Sequence, residues 1–322
     1  MAKSWKEWEK PLIELEDNLA KLEQLLKTAS PEQIRELEPK IADYKKRRDN
    51  YITVMYGRLG PWEKVLVARA EKRPYTLDYV SAIFTNFTEL DGDRRFGADH
   101  AIIGGPALLD GRPVMVVGHQ KGRNIQERQF RNFAMAKPEG YRKAIRLFEM
   151  AERFKMPVVT LVDTPAADPG VESESRGISE AIAASMLKMF ELEVPVVSVV
   201  IGEGGSGGAI GIAVANRVYM QEHAIYSVIP PEGCAAILWR MPEKGPQAAA
   251  ALKLTAQSAL EFGLIDEIVK EPWGAAHRDP LEAASLVKDA VLKGLGELDG
   301  VAGPQLKADR YAKFRKMGIF SS

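Results

Sequence analysis

Six glycines fall within ten positions of one stretch of this chain: Gly202, Gly204, Gly205, Gly207, Gly208 and Gly211. They follow Val196 to Ile201, a mostly β-branched run that reads as a buried strand. They lead into Ala209 to Ala215, small residues that read as a helix. Bare backbone between a strand and a helix can hold negative charge. The first N–H groups of a helix have no intrahelical acceptor, and the helix dipole favours an anion there. Three readings fit. One is a tight turn with close packing. Another is a dinucleotide fingerprint, Gly202-x-Gly204-x-x-Gly207, with Glu222 twenty residues after Gly202. The third is an oxyanion hole, in which paired glycine N–H groups hold charge that develops on a carbonyl oxygen. A Walker phosphate loop is excluded, because its Gly-Lys-Ser/Thr ending is missing.

Side chains offer less. His100, His119, His223 and His277 are scattered without metal-ligand spacing and read as structural. Ser206 matches a nucleophile elbow only if both variable positions are glycine, and no Asp and His follow it in a convincing order. Asp163 and Glu203 stand at loop entries, where they serve as acids or bases or, more simply, as caps and loop hydrogen-bond acceptors. No obvious nucleophile or general base emerges. Backbone donors without a nucleophile suit a reaction whose substrates bring the reactive atoms while the protein stabilises enolate-like charge.

These residues need a scaffold, and 322 residues can bury a sizeable core in one large domain or two small ones. Lys+Arg and Asp+Glu are both 44, so bulk charge does not point to nucleic acid or membrane. The one cysteine, Cys234, excludes an internal disulfide and a thiolate zinc site within one chain. No secretory leader and no membrane-spanning run is read, so a cytoplasmic protein without a metal is the expectation.

Residues 1 to 60 read as a helical hairpin. Leu12, Leu15, Leu19, Leu22 and Leu26 make one seam, and Ile34, Leu37, Ile41, Tyr44, Tyr51 and Met55 the other. Ser30-Pro31-Glu32-Gln33 between them is a capping box with a first-turn proline. Such seams pack on each other or meet another subunit. Pro61 to Ala70 and Thr76 to Phe87 read as short helices. From about Asp91 strands appear: a hairpin turning at Asp110-Gly111 with a type I′ signal, a helix from Pro138 to Phe154, and a strand from Pro157 to Val162 ending at Asp163. A loop from Thr164 to Gly170 and a helix around Ile178 to Phe190 lead to the glycine strand. Short strands follow at Arg217 to Met220 and Ile225 to Ile229, and Pro230 to Cys234 reads as a loop. Helices at Ala248 to Leu252 and Ser258 to Phe262 precede a turn and strand ending at Val269. Pro280 to Leu295 is an amphipathic helix, Gly300 to Gly303 a hinge, and Gln305 to Lys316 a basic helix. Strand–helix alternation argues α/β with parallel pairing. The hairpin and the short late strands suit a spiral of β-β-α turns better than a Rossmann sheet.

Several segments occur together in order: Arg73-Pro74-Tyr75-Thr76-Leu77-Asp78-Tyr79-Val80, Gly118-His119-Gln120-Lys121-Gly122-Arg123, Arg131-Asn132-Phe133, Pro138 to Ala144, Met150 to Phe154, Gly202 to Ala209, and Pro231 to Ala235. From about residue 8 to residue 316 the chain resembles the carboxyltransferase α subunits of bacterial and plastid-type acetyl-CoA carboxylase. The resemblance implies an α/β, crotonase-like (ClpP/crotonase) β-β-α superhelix with an added N-terminal helical region. It divides the chain into N-terminal helices (1–90), a carboxyltransferase core (91–270) and a C-terminal helical segment (271–322). It implies transfer of a carboxyl group from carboxybiotin to acetyl-CoA, giving malonyl-CoA, the first committed step of fatty acid synthesis.

The partners it implies are a β subunit of the same fold in an α2β2 assembly, a biotin carboxyl carrier protein and a biotin carboxylase. The active site would lie between α and β, with biotin toward α, CoA largely on β and the structural zinc in β. Gly207 and Gly208 would supply the backbone oxyanion hole, with Gly204, Gly205, Ser206 and Gly170 binding biotin or substrate. One departure stands out. The loop Asp163-Thr164-Pro165-Ala166-Ala167-Asp168-Pro169-Gly170 has Ala166 where the family pattern has glycine and Asp168 where it has tyrosine. That brings the loop's shape, and with it acyl-CoA preference or turnover, into question.

Overall fold

The computed structural model describes residues 5–318. Two long helices, α1 (Trp5–Leu26) and α2 (Pro31–Tyr56), form the hairpin. The Ser30 N–H donates to Gln33 Oε1 at 2.9 Å and the Gln33 N–H to Ser30 Oγ, closing the capping box. Leu12, Leu19, Ile41 and Ile52 are buried along the seam. The seam does not pack only on itself: Leu12, Ile52 and Tyr56 share a cluster with Val67 and Ala275 of the body. Short helices α3 (Pro61–Ala68) and α4 (Thr76–Ile83) follow.

Strands β1 (Ile102–Leu109) and β2 (Arg112–His119) pair antiparallel. Asp110 and Gly111 have φ of 47° and 82°, as a type I′ turn requires. Helix α5 (Ile125–Phe130), a 3-10 turn (Asn132–Ala134) and α6 (Pro138–Arg153) lead to β3 (Val158–Thr164). Then come α7 (Val171–Ser175), α8 (Ile178–Glu191), β4 (Val196–Gly205) and α9 (Ser206–Ile210). The rest is β5 (Arg217–Gln221), β6 (Ile225–Ser227), α10 (Pro231–Trp239), α11 (Gly245–Leu252), α12 (Ala256–Glu261), β7 (Glu267–Val269), α13 (Pro280–Glu297) and α14 (Gly303–Arg315).

The sheet runs β1-β2-β3-β4-β5-β7, parallel after the hairpin, with β6 on β4. β4 serves two neighbours in succession. Val197 to Val200 pair with β5, and Glu203 to Gly205 pair with β6. One long strand thereby carries the chain from one turn of the spiral to the next. Both sheet faces are covered, so the strands alternate between two cores. Val158, Val162, Val196 and Val200 meet α6 and α8, while Val159, Leu161, Val197 and Val199 meet α4 and α13. Helix α13 is thus part of the main core.

The helix read over Thr76 to Phe87 ends at Ile83 and the strand read over Ile225 to Ile229 ends at Ser227. Three further segments differ from the sequence reading. Gly202, Gly204 and Gly205 are strand rather than loop, because each is paired with β3, β6 or both, or lies between residues that are. The helix after them starts at Ser206 and stops at Ile210, closed by Gly211, a poor helix former. Pro230 to Cys234 is not a loop but the entry to α10. Pro231 occupies the first turn, where a missing N–H breaks no helical bond.

Candidate active site

The glycine run passes over the carboxyl ends of β3 and β4, against the backbone of the loop from Thr164 to Ala167. At Gly205 a Cβ would lie 1.9 Å from Pro165 O, and at Gly208 it would lie 2.5 Å from the Ala166 carbonyl carbon. No side chain fits at either position. Gly207 differs: a Cβ there would meet only Ile182 Cδ1, at 3.4 Å. Ser206 between them has φ of 53°, a left-handed conformation unusual for serine. The N–H groups of Ser206 to Ala209 form the first turn of α9, where intrahelical acceptors are missing.

Ser206 and Gly207 open onto an apolar slot of about 400 Å3, walled by Met186, Ile210, Tyr226 and Phe314. Ser227 links this slot to a narrow neck lined by Gly204, Gly205, Pro165 and Glu203. Pro165 and Glu203 also line a second recess of about 240 Å3, with Arg69, Lys121 and Arg128. The fold therefore brings Gly204, Gly205, Ser206 and Gly207 together along one groove. Gly208 is buried behind it, against the loop. Gly170 is exposed at the start of α7 and lines none of these three recesses.

A buried ion network lies under the neck. Lys121 Nζ is 2.6 Å from Asp163 Oδ1 and 3.1 Å from Glu203 Oε1. Arg69 Nε is 2.8 Å from Glu203 Oε2, and Arg69 Nη1 is 2.5 Å from Glu232 Oε1. The Glu203 N–H donates to Asp163 Oδ1 at 2.9 Å. Burial alone would push the Glu203 carboxyl up, but the Lys121 and Arg69 cations outweigh it and bring it down to about 2. Burial likewise opposes the Lys121 charge, and Asp163 and Glu203 outweigh it, so the ammonium is held protonated. Burial pushes Asp163 up against the pull of Lys121. Asp163 is therefore the first member of the trio to take a proton as pH falls. Neither carboxylate is a free base. Lys121 and Arg69 carry no signature in the sequence, since nothing local marks a lysine whose glutamate partner lies 82 residues away.

Burial, helped by the Lys121 cation, brings the His119 imidazole down to about 3. It is neutral, close to the Gly208 backbone, and neither ring nitrogen has a hydrogen-bond partner among the described residues. His223 and His277 lie away from the glycines, beside Tyr56 of the N-terminal hairpin. There His277 Nε2 lies 3.1 Å from Glu9 Oε1.

The altered loop is ordered by its neighbours. Ala166 is not among the residues with positive φ, so alanine is not strained there. Asp168 accepts from Asn132 Nδ2 at 3.2 Å and from the Ser173 hydroxyl, and its N–H donates to Ala136 O at 3.0 Å. The dinucleotide reading fails on local geometry. Gly202 and Gly204 lie inside β4 and make no turn for a pyrophosphate. Glu222 does follow β5, beside β4, but its carboxylate pairs with Lys270 at 3.2 Å.

The family model described as acetyl co-enzyme A carboxylase carboxyltransferase-like matches residues 5–318. The acetyl-coenzyme A carboxylase carboxyl transferase subunit alpha of Geobacter metallireducens is 53% identical over 315 residues, covering 98% of each chain. The protein of the same name from Thermus thermophilus is 50% identical over 318 residues, again covering 98% of each. Among solved structures, transcarboxylase 12S aligns with a TM-score of 0.57 at 19% identity, over 72% of this chain and 43% of that one. A Pseudomonas malonate decarboxylase hetero-dimer aligns with a TM-score of 0.54 at 16% identity, over 67% and 88%. At such identities these structures show the fold alone, and that fold is the β-β-α spiral described above.

Proposed function

The chain belongs to the family of acetyl-CoA carboxylase carboxyltransferase α subunits, and from that premise we propose how its groove serves the reaction. The protein is a carboxyl-transferring subunit that acts in forming malonyl-CoA from acetyl-CoA, at the entry to fatty acid synthesis. Gly207, with Gly208 behind it, supplies backbone N–H groups to an oxyanion at the mouth of the apolar slot. The observation that carries this reading is the asymmetry of the pair: Gly207 lines the slot with only the Ile182 side chain near the position of a Cβ, while Gly208 is sealed against the loop.

The slot suits the fused rings of biotin, being apolar, small and flanked by the first turn of a helix. Ser206, Gly207, Ile210 and Tyr226 would hold that ring system. Carboxybiotin, borne on a separate carrier protein, would supply the carboxyl group. Ile210 and Phe314 would keep water from the ring, and the Gly207 N–H would hold the oxygen on which charge develops. No side-chain nucleophile is needed. Gly204 and Gly205 shape the neck through which the two substrates meet. Gly170, on the surface and outside all three recesses, takes no part in holding the ring.

Acetyl-CoA would be held largely by a β subunit in an α2β2 assembly, with a biotin carboxylase loading the carrier. The exposed apolar side chains beside the slot support a covering partner: Val228 and, on α10, Ile237 and Leu238 are each more than half exposed. Among the described residues no helix is long and apolar enough to cross a membrane. The cytoplasm is the proposed compartment. The test is co-expression with a β subunit from the same genome, followed by a carboxyl-transfer assay. Transfer is expected from the complex and not from the isolated chain. Robust malonyl-CoA formation by the isolated chain would overturn the shared-site reading.

A further inference from the structure

The second recess, across the neck from the slot, has no role in the reading above. Its volume is about 240 Å3, and its charged lining is Arg69, Lys121, Arg128 and a single carboxylate, Glu203. Glu203 is already engaged by both Arg69 and Lys121. An ammonium has three N–H donors, and Asp163 and Glu203 take two from Lys121. Arg128 is freer still. Its Nε donates to Gly122 O at 3.3 Å, and among the described residues no carboxylate lies within ion-pair distance of its guanidinium. A half-buried guanidinium aimed at a recess, next to an ammonium with a spare donor, is a fork for an anionic oxygen group.

A second observation points to the same place. Asn132, Phe133 and Ala134 all have positive φ, at 44°, 55° and 62°. Three consecutive non-glycine residues in that region are strained, at roughly 1–3 kcal/mol each. The turn is held by Asn132 Nδ2 donating to Met135 O at 2.7 Å, and by Thr164 Oγ1, which is 2.6 Å from Ala134 O. Its effect is to set the Phe133 ring, 44% exposed, in the wall of the recess that also carries the cations. An exposed ring in a recess that also carries three cations gives a bound group one apolar wall.

We propose that Arg128, the free N–H of Lys121 and the Phe133 ring form a subsite for an anionic oxygen group of the CoA thioester, a carboxylate or a phosphate. This rests on the carboxyl-transfer reading and extends it. Two sources carry that chemistry: the carboxylate that distinguishes malonyl-CoA from acetyl-CoA, and the phosphates common to both.

The experiment uses the complex of this chain with its β subunit, carrying Arg128→Met or Arg128→Lys. Calorimetry gives Kd for malonyl-CoA and for acetyl-CoA, and initial rates give KM for each. A charge-assisted hydrogen bond contributes about 1.5–3 kcal/mol, so Arg128→Met should weaken binding by roughly 10- to 100-fold. Arg128→Lys should recover part of that. Weakening confined to malonyl-CoA identifies the carboxylate; equal weakening of both thioesters identifies a phosphate. Unchanged Kd for both, in a complex whose melting temperature matches the parent, overturns the subsite. Absence of transfer by the unmutated complex, with thioester binding intact, would instead overturn the carboxyl-transfer reading and leave the binding result to decide the subsite.

Discussion

Gly207 and Gly208 are adjacent, chemically identical and in one helical turn, yet they face different things. Gly208, like Gly205, is a glycine because another backbone occupies the space where a side chain would be. At Gly207 only the Ile182 side chain touches that space, and the residue lines the slot. The first kind of glycine joins the β4 strand to the loop after β3. The second lines the slot, where the proposed role for its N–H is to meet a ligand. On that proposal one glycine-rich sequence serves packing and binding at once, and only the surroundings separate the two roles.

The sharpest way to break this comparison is to add a side chain on the packed side. Gly205→Val or Gly208→Val should damage the fold itself, since the clash is with backbone and cannot be relieved by a rotamer change. Overpacking typically costs 1–3 kcal/mol and more against backbone. At about 2–4 °C per kcal/mol, a fall in melting temperature of roughly 5 °C or more is expected. A variant that melts with the parent would show that the loop and the strand are not in contact.

Gly207→Val should do the reverse. Its φ is not positive, so valine is tolerated by the backbone, and only Ile182 is near. Stability should stay within about 0.5 kcal/mol of the parent. Transfer by the complex should fall by about 100- to 1000-fold, the usual loss when an oxyanion donor is displaced. Parent-like turnover in an assembled complex would remove Gly207 from the oxyanion site.

The distinction between the two glycines was beyond the reach of the sequence, although the hairpin, the parallel strand–helix alternation and the buried strand at Val196 to Ile201 were not. Alternating apolar residues report their own periodicity, and Asp110-Gly111 or Ser30-Pro31 report their own turn and cap. The length of β4 was misread because glycine is a breaker by propensity, whereas pairing with β3 and β6 holds it extended. The Lys121–Asp163–Glu203 trio was invisible because its members meet only through the sheet. Asp168 was expected to disturb the loop, but it accepts from Ser173 five residues on and from Asn132, whose turn lies more than thirty residues upstream.

A smaller effect separates the packed region from the open one by pH. His119 lies behind Gly208, with its pKa down from an ordinary 6.5 to about 3. In the unfolded chain it takes a proton near 6.5, and in the folded chain only near 3. Its contribution to stability is therefore complete above 6.5 and is lost as pH falls toward 3. Between pH 6.5 and 5 the loss should be about 2 kcal/mol. Glu203 adds a separate loss at lower pH, from its ordinary 4.5 down to about 2. His119→Gln should reduce the slope of the melting-temperature profile from pH 6.5 down to about 3, leaving the Glu203 loss below pH 4.5 in place. An unchanged slope between pH 6.5 and 5 would mean that His119 charges freely in the folded protein.

The altered loop should give the smallest effect, and the comparison predicts its kind. Ala166 and Asp168 belong to the segment that packs on Gly205 and Gly208, so they reach the open slot only through backbone. Ala166→Gly frees the unfolded chain and should cost roughly 0.5–1 kcal/mol, because alanine is unstrained there. Asp168→Tyr removes an acceptor from Asn132 and from Ser173, at about 1 kcal/mol for each hydrogen bond. Loss of the Asn132 contact also loosens the left-handed turn whose Ala134 carbonyl meets Thr164. Pro165, next in the chain, lines the neck between slot and recess. The double change should therefore move the ratio of acetyl-CoA to propionyl-CoA turnover by a few-fold rather than abolish transfer. Rates for both thioesters, measured in the parent complex and in the double variant, decide it. If both rates are the same in the two proteins, the loop only supports the glycine strand, and the Ala166 and Asp168 departures are neutral for the reaction.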